Sequence, residues 1–314
     1  MPAQLEAHAR EYMRRLVEEG GKPLPELTIE DARRYMRESQ TGTLDMDLVE
    51  MENAQVDGIS VSIVRPKSSD SDLPALLYIH GGGWTLGGLD THARILQVLA
   101  LEAGVTIVVP EYSLSPEARF PIALEQCYTV AKWMQAEGAK HRIDTSRMAV
   151  AGDSAGGNLA AALALLATER GEVAFRLQVL LCPPLQASSE SDSYAEFADG
   201  LNLTREAMEW FWAQYVPDRE QRRNPLVSPL LADLAALSLV PPALIVTAEC
   251  DVLRDDGERY AQRLSEAGVA TTAVRFLGTL HNFPVIDNLQ KSGASIAALH
   301  LIADALKSSL HHKA

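Results

Sequence analysis

The sequence is poor in cysteine and in basic side chains, and both scarcities narrow the classes of protein it can represent. Three cysteines in 314 residues, widely spaced and without metal-ligand spacing, argue against a disulfide scaffold or a cysteine-based metal site. Lysine and arginine number 28 against 42 aspartates and glutamates, so the net charge is −14. That balance argues against nucleic acid or an anionic membrane as a partner.

Long apolar runs are also missing. No stretch approaches the length needed to span a bilayer. The N-terminal segment is charged throughout and lacks the apolar core of a signal peptide. We therefore expect a soluble, cytoplasmic protein with reduced cysteines.

What the sequence does contain is a regular alternation of short apolar runs and segments with helical periodicity. With 314 residues and 47% hydrophobic content, the chain is long enough to bury one large core. Strands that alternate with helices predict an α/β fold, with a mainly parallel central sheet of about eight strands and helices on both faces. The predicted strands are residues 48–56, 59–66, 75–79, 105–109, 148–151, 176–182, 243–247 and 270–276.

Two segments fall outside this alternation. Residues 1–45 contain two predicted helices, 4–18 and 28–37, and residues 188–217 form a helical insertion. The predicted catalytic core is then residues 46–187 and 218–314. Periodicity does not separate a cap over a site from a plain helical appendage, so both interpretations of the N-terminal helices stay open.

The strongest chemical signal is the stretch from Gly152 to Asn158, which reads Gly-Asp-Ser-Ala-Gly-Gly-Asn. It follows a predicted strand and opens an alanine-rich predicted helix, which is the context of a Gly-x-Ser-x-Gly nucleophile elbow. The turn is so sharp that a Cβ atom at Gly152 or Gly156 would collide with the backbone. Ser154 is thereby presented at a helix N-terminus, which favours developing negative charge. The pattern predicts a serine nucleophile.

A second glycine-rich stretch, His80-Gly81-Gly82-Gly83-Trp84, directly follows a predicted buried strand. Successive glycines let backbone N–H groups turn toward one point, so the loop can donate hydrogen bonds to an oxyanion. A merely flexible turn is the alternative. The position after a buried strand, between a histidine and a tryptophan, favours the oxyanion interpretation.

A serine nucleophile needs a base to take its proton and a carboxylate to orient that base. After the nucleophile, only His281 lies in a loop that follows a predicted strand; His300 lies within a predicted helix, and the remaining histidines lie in a polar tail. Asp251, four residues past the preceding predicted strand, is the favoured acid, and Glu249 is a weaker candidate. Helix capping accounts for the neighbouring carboxylates Asp255 and Asp256.

These motifs together resemble the bacterial hormone-sensitive-lipase-like carboxylesterases of the α/β-hydrolase superfamily. The resemblance runs from about residue 73 to the C-terminus, and the N-terminal helices match the family's usual contribution to a cap. Residues 112–117, Phe120-Pro121 and residues 251–255 are similar to further family segments. The resemblance implies the α/β-hydrolase fold with a helical cap.

The resemblance also implies roles for the matching residues. It implies a catalytic triad of Ser154, Asp251 and His281. It implies an oxyanion hole built from the N–H groups of Gly82, Gly83 and Ala155. His80 would brace the glycine loop, and neither a metal ion nor an organic cofactor is implied.

The chain departs from the family pattern at two positions. Val252 stands where proline often follows the acid, and Asn282 stands where glycine often follows the histidine. Both changes affect the shape of the loop, and neither removes a catalytic group.

The predicted reaction is two-step hydrolysis of a small-molecule ester with a short to medium acyl chain. Four aromatic side chains could shape the acyl or alcohol pocket or simply pack the cap; they are Trp84, Trp210, Phe211 and Trp212. A carbohydrate acetate, lactone or amide would use the same triad. A small-molecule binding protein is the other alternative, since plant gibberellin receptors resemble this family but have lost the histidine. Family members are often dimers, so a homodimer also stays open.

Overall fold

The computed structural model describes residues 4–69 and 71–311, and its centre is one eight-stranded sheet. The strands lie in the order β1-β2-β4-β3-β5-β6-β7-β8, with β1 and β2 antiparallel to their neighbours and the remaining pairs parallel. The predicted fold class is therefore confirmed. The strands are β1 (Val49–Val56), β2 (Ile59–Pro66), β3 (Leu73–Ile79), β4 (Thr106–Pro110), β5 (Ile143–Asp153), β6 (Gln178–Leu181), β7 (Ala243–Cys250) and β8 (Thr271–Leu280).

Helices cover both faces of the sheet. The helices are α1 (Ala7–Glu19), α2 (Ile29–Ser39), α3 (Leu89–Ala103), α4 (Ile122–Glu137), α5 (Ala155–Arg170), α6 (Asp192–Glu196), α7 (Arg205–Tyr215), α8 (Leu234–Leu237), α9 (Arg254–Glu266) and α10 (Gly293–Leu310). Short 3₁₀ turns occupy Leu24–Glu26, Gly138–His141, Gln221–Arg223, Pro229–Leu231 and Asp287–Leu289. No helix in the described part of the chain is long and apolar enough to cross a membrane.

Both faces of the central strands are buried. In β3, Leu77 and Ile79 face one apolar cluster, which includes α4, α5 and α9. The alternate residues Leu76 and Tyr78 face a second cluster, built mainly with α3 and α10. This two-sided burial explains why the parallel strands read as continuous apolar runs. Because both faces of the sheet are covered, we look for a functional site in the loops at the carboxyl ends of the strands.

Several element boundaries differ from the sequence prediction. Strand β5 begins at Ile143 instead of residue 148, because its polar start pairs with Leu73 and Pro74. Strand β8 continues past residue 276 to Leu280, through Gly278, which has a positive φ of 69°. The last helix begins at Gly293 instead of residue 288, where the Ser292 side chain accepts a hydrogen bond from a first-turn N–H.

Candidate active site

The site begins at the turn between β5 and α5. Ser154 is the single residue between the strand and the helix, and its backbone has φ 50° and ψ −123°. A Cβ atom on Gly156 would lie 1.9 Å from the carbonyl oxygen of Ile79, and one on Gly152 would lie 2.2 Å from the carbonyl oxygen of Gly156. Because those contacts involve backbone atoms, no side-chain movement relieves them. The close approach of strand and helix therefore requires glycine at both positions.

Ser154, His281 and Asp251 form one hydrogen-bonded series. The Ser154 Oγ lies 3.0 Å from Nε2 of His281, and Nδ1 of His281 lies 2.8 Å from Oδ2 of Asp251. Asp251 is 1% exposed, whereas Ser154 and His281 are each 7% exposed. With Nδ1–H donating to the carboxylate, Nε2 is free to accept the serine proton. The arrangement has the chemistry of an activated serine nucleophile.

The three residues converge because each follows a strand of the parallel sheet. Ser154 follows β5, Asp251 follows Cys250 at the end of β7, and His281 follows β8. Carboxyl ends of neighbouring parallel strands meet at one edge of a sheet. The second oxygen of Asp251 accepts the N–H of Leu253 at 3.0 Å, which fixes the carboxylate in its loop.

The other carboxylates considered from sequence have different partners. Glu249 accepts the N–H of Gly278 at 2.7 Å. Asp255 accepts the N–H of Ser193, and Asp256 accepts the N–H groups of Leu185 and Gln186. Both aspartates lie in the first turn of α9, as predicted, but that helix has no side-chain cap. Their bonds go instead to α6 in the insertion and to the residues just before the insertion. Burial raises the pKa of Asp256 to about 7.

The remaining histidines considered as bases lie away from the nucleophile. His300 is exposed and faces Glu102 at 3.5 Å. Nε2 of His311 lies 2.9 Å from the carbonyl oxygen of Ala103. His312 lies outside the described residues.

The glycine loop after β3 takes backbone conformations that favour glycine. Gly82 and Gly83 have φ values of 112° and 60°. A Cβ atom on Gly81 would lie 2.2 Å from Oδ2 of Asp153, and one on Gly83 would lie 2.0 Å from the Phe211 ring. Among the described residues, none accepts a hydrogen bond from the N–H of Gly82 or Gly83. Both N–H groups thus remain available as donors.

His80 packs behind this loop. Its ring stacks on Tyr112 with the ring centroids 4.3 Å apart, and the Tyr112 hydroxyl donates to the His80 carbonyl oxygen at 2.9 Å. Burial, assisted by the neighbouring His92, lowers the pKa of His80 to about 4. The ring is therefore neutral at physiological pH, and its Nδ1 lies 2.8 Å from the carbonyl oxygen of Gly81.

Asp153 is a site residue that sequence reasoning missed. It is fully buried and accepts hydrogen bonds from the Tyr78 hydroxyl at 2.9 Å, the Gly81 N–H at 3.1 Å and the Asn282 amide at 2.7 Å. Nε2 of His92 lies 3.2 Å from the same carboxylate. Burial acts to raise the pKa of Asp153, but the neighbouring His92 and the hydrogen bonds outweigh it and lower that pKa. The carboxylate of Asp153 is held ionised next to Ser154.

The four predicted pocket aromatics have different surroundings. Trp84 and Trp212 are fully buried with ring centroids 4.3 Å apart, and Trp84 also stacks on Tyr215 at 4.6 Å. Phe211 lies against Gly83, and Trp210 packs edge-on against Phe211 at 5.1 Å. Phe211 thus contacts the glycine loop from α7, whereas Trp84 directly follows Gly83 in the chain.

One group of three potential metal ligands occurs in the described part of the chain. It comprises Cys182, Asp251 and His281, whose ligating atoms lie within 4.8 Å of one another. Burial, and secondly the charge of Asp251, raise the pKa of the Cys182 thiol well above its usual value. A metal ion bound there would compete with the hydrogen bond between His281 and Asp251 for the same atoms.

Comparisons with known proteins agree with the fold described above. A family described as having the alpha/beta hydrolase fold matches residues 76–285. An ethyl acetate hydrolase of Pseudomonas putida is 38% identical over 283 residues, which cover 85% of this chain and 88% of that protein. The carboxylesterase NlhH of Mycobacterium tuberculosis is 35% identical over 289 residues and 90% of each chain. The crystal structure of a thermostable esterase from Pseudomonas putida ECU1011 is 39% identical, has a TM-score of 0.96 and covers 100% of this chain and 99% of its own.

Proposed function

The chain belongs to the hormone-sensitive-lipase-like carboxylesterases of the α/β-hydrolase superfamily and is a carboxylic ester hydrolase, and from that premise we propose the residues and the substrates of its reaction. Ser154 is the nucleophile, His281 the general acid and base, and Asp251 the group that orients His281. The N–H groups of Gly82, Gly83 and Ala155 form the oxyanion hole. The observation that carries these assignments is the hydrogen-bonded series from Ser154 through His281 to Asp251.

In the first step, Oγ of Ser154 attacks the ester carbonyl carbon while Nε2 of His281 accepts the hydroxyl proton. The carbonyl π electrons move to oxygen, and the resulting oxyanion accepts hydrogen bonds from the three backbone N–H groups. One such donor is worth about 10²–10³ in rate. Asp251 stabilises the imidazolium of His281. When the tetrahedral intermediate collapses, that imidazolium protonates the leaving alcohol and the acyl-enzyme remains.

In the second step, water takes the place of the alcohol. His281 accepts a proton from the water as the water oxygen attacks the acyl carbon, and the same N–H groups again stabilise the oxyanion. Collapse of the second intermediate breaks the bond to Oγ, and Ser154 recovers its proton from His281. The products are a carboxylic acid and an alcohol, and the enzyme returns to its starting state.

We propose short- to medium-chain acyl esters as substrates. Two features support this range. Phe211 lies over Gly83, and the buried cluster of Trp84, Trp212 and Tyr215 fills the space beside the oxyanion loop. A relative named as an ethyl acetate hydrolase also supports a short acyl chain.

Hydrolysis of p-nitrophenyl esters from acetate to laurate tests this range. We expect kcat/KM to be highest for the short and medium chains and at least about tenfold lower for laurate, because the aromatic side chains packed around the glycine loop limit the length of acyl chain that fits. Highest activity with laurate would contradict the proposed range. Hydrolysis of a lactone or amide with no p-nitrophenyl ester turned over would contradict the ester assignment, and saturable binding without turnover would favour a binding protein.

We further propose that helix α2 belongs to a cap that supports the oxyanion loop. Arg33 of α2 donates to the carbonyl oxygens of Thr85 at 2.9 Å and Ser115 at 3.0 Å, and to Glu117 at 2.7 Å. The Thr85 hydroxyl in turn donates to the carbonyl oxygen of Gly83 at 2.9 Å. The guanidinium group of Arg33 thus connects α2 to Thr85, and the Thr85 hydroxyl connects to Gly83 of the glycine loop.

Replacing Arg33 with alanine should therefore lower kcat about tenfold while KM changes by less than about threefold, since oriented donors are lost without a substrate contact. Arg33→Lys should recover only part of the rate, because an ammonium group does not reproduce the fork of guanidinium donors. Arg34→Ala is the matched control: Arg34 is exposed on the same helix and, among the residues that the structure describes, pairs only with Asp31. Equal kinetics for the Arg33 and Arg34 variants would show that α2 is a plain appendage.

A further inference from the structure

The residue after the catalytic histidine has an unusual backbone conformation. Asn282 has a φ of 55°, in the left-handed region. Glycine enters this region freely, and asparagine enters it more readily than most other residues. Glycine would thus satisfy the backbone at this position without a side chain. The backbone conformation alone therefore does not explain why an asparagine side chain is present at position 282.

That side chain reaches the carboxylate next to the nucleophile. The Nδ2 group of Asn282 donates to Oδ2 of Asp153 at 2.7 Å, across 129 residues of sequence. The other oxygen of Asp153 accepts the N–H of Gly81 at 3.1 Å. One buried carboxylate thus joins the loop that carries His281 to the first glycine of the oxyanion loop.

The residues around Asp153 restrict the movement of its carboxylate group. Asp153 is fully buried, and its remaining partners are the Tyr78 hydroxyl of β3 and the His92 ring of α3. Hydrogen bonds to an ionised acceptor are shorter and about twice as strong as neutral ones. The carboxylate is shielded from bulk solvent, so loss of one donor changes the hydrogen bonds to the others.

On the proposed assignment of base and oxyanion donors, we propose that Asn282 is a positioning residue for ester hydrolysis. Its amide, acting through Asp153, fixes the distance between the His281 imidazole and the oxyanion N–H groups. The imidazole and the N–H groups must contact the same tetrahedral intermediate. The imidazole contacts it at the Ser154 oxygen, and the N–H groups contact its oxyanion. A misplacement of about 1 Å in such a pair costs up to about 10²-fold in rate.

Asn282→Gly removes the amide and keeps the backbone conformation. We expect kcat to fall about tenfold or more with KM within about threefold of wild type. The melting temperature should fall as well, because the buried Asp153 carboxylate loses one donor, so kinetics are measured well below it. Asp57→Gly is the matched control, since Asp57 is exposed, has a φ of 49° and lies in the β1–β2 hairpin away from the site. That variant should keep wild-type kcat and KM.

Asn282→Asp supplies a readout that a general loss of stability would not give. The introduced carboxyl group faces Asp153, around which Tyr78, His80 and His92 also lie. Next to a like charge its pKa rises, so at low pH it stays protonated and donates to Asp153 as the amide does. As pH rises it ionises and is repelled. The ratio of variant to wild-type kcat should therefore fall with increasing pH.

The two sets of outcomes separate this proposal from the proposed function. Inactive wild-type protein would refute the assigned reaction itself. Active wild type, with Asn282→Gly at wild-type kcat and Asn282→Asp at a constant ratio across pH, would overturn the positioning role alone. A fall in kcat for Asn282→Gly together with a ratio that falls with pH for Asn282→Asp would support it.

Discussion

Replacing Ser154 with alanine is expected to lower kcat for p-nitrophenyl acetate by about 10⁴-fold or more, down to the residual rate that binding and the oxyanion hole support. Alanine lacks the only atom that bonds to the acyl carbon. The substitution leaves the backbone at φ 50° as strained as it was, because alanine and serine share the same Cβ constraint. The melting temperature should therefore change little.

Ser238→Ala is the matched control for this variant. Ser238 is exposed at the C-terminal end of α8, and in the described part of the chain its hydroxyl donates only to the carbonyl oxygen of Ala235, at 2.7 Å. Wild-type kcat is expected. If folded Ser154→Ala retained more than about one per cent of the wild-type kcat, a different nucleophile would have to be sought.

Replacing Asp251 with asparagine is expected to lower kcat by about 10³–10⁴-fold with little change in KM. An asparagine side chain of the same shape can donate its amide N–H to Nδ1 of His281. Nε2 then carries the proton and no longer accepts one from Ser154. The neutral amide also gives no charge to stabilise the imidazolium, so both functions of the acid are lost together.

Glu249→Gln tests which of the two candidate acids, Asp251 or Glu249, orients His281. Glu249 accepts the N–H of Gly278, a bond that the amide oxygen of glutamine can also accept. Its kcat should stay within about threefold of wild type, because no bond to His281 is altered. A large loss in Glu249→Gln combined with a small one in Asp251→Asn would reverse the assignment.

The parts of the site that depend on a few consecutive residues could be read from the sequence. The elbow around Ser154 needs only a strand, a glycine turn and a helix, all contained in one short stretch. The same holds for the glycine loop after β3. Asp251 was less certain because β7 was predicted to end at residue 247. The strand continues through Glu249 to Cys250, so Asp251 directly follows it.

The parts that depend on distant residues could not be read in this way. The partners of Asp153 lie between 61 and 129 residues away in sequence, and no local pattern marks them. Phe211 sits in an aromatic run whose periodicity predicts a helix. Which of those rings faces Gly83 depends on how α7 packs against the glycine loop, a tertiary outcome. Asn282 was recognised only as a departure from a family pattern.

Rapid-mixing kinetics combined with mass spectrometry would show whether a covalent acyl intermediate forms on Ser154. With a p-nitrophenyl ester, we expect a burst of p-nitrophenol approaching one equivalent per chain whenever deacylation is the slower step. Acid quenching should then trap an acyl adduct on the peptide that contains Ser154. An acyl adduct on another residue, or steady turnover with no adduct on Ser154 even with a slowly deacylating ester, would contradict the formation of this intermediate.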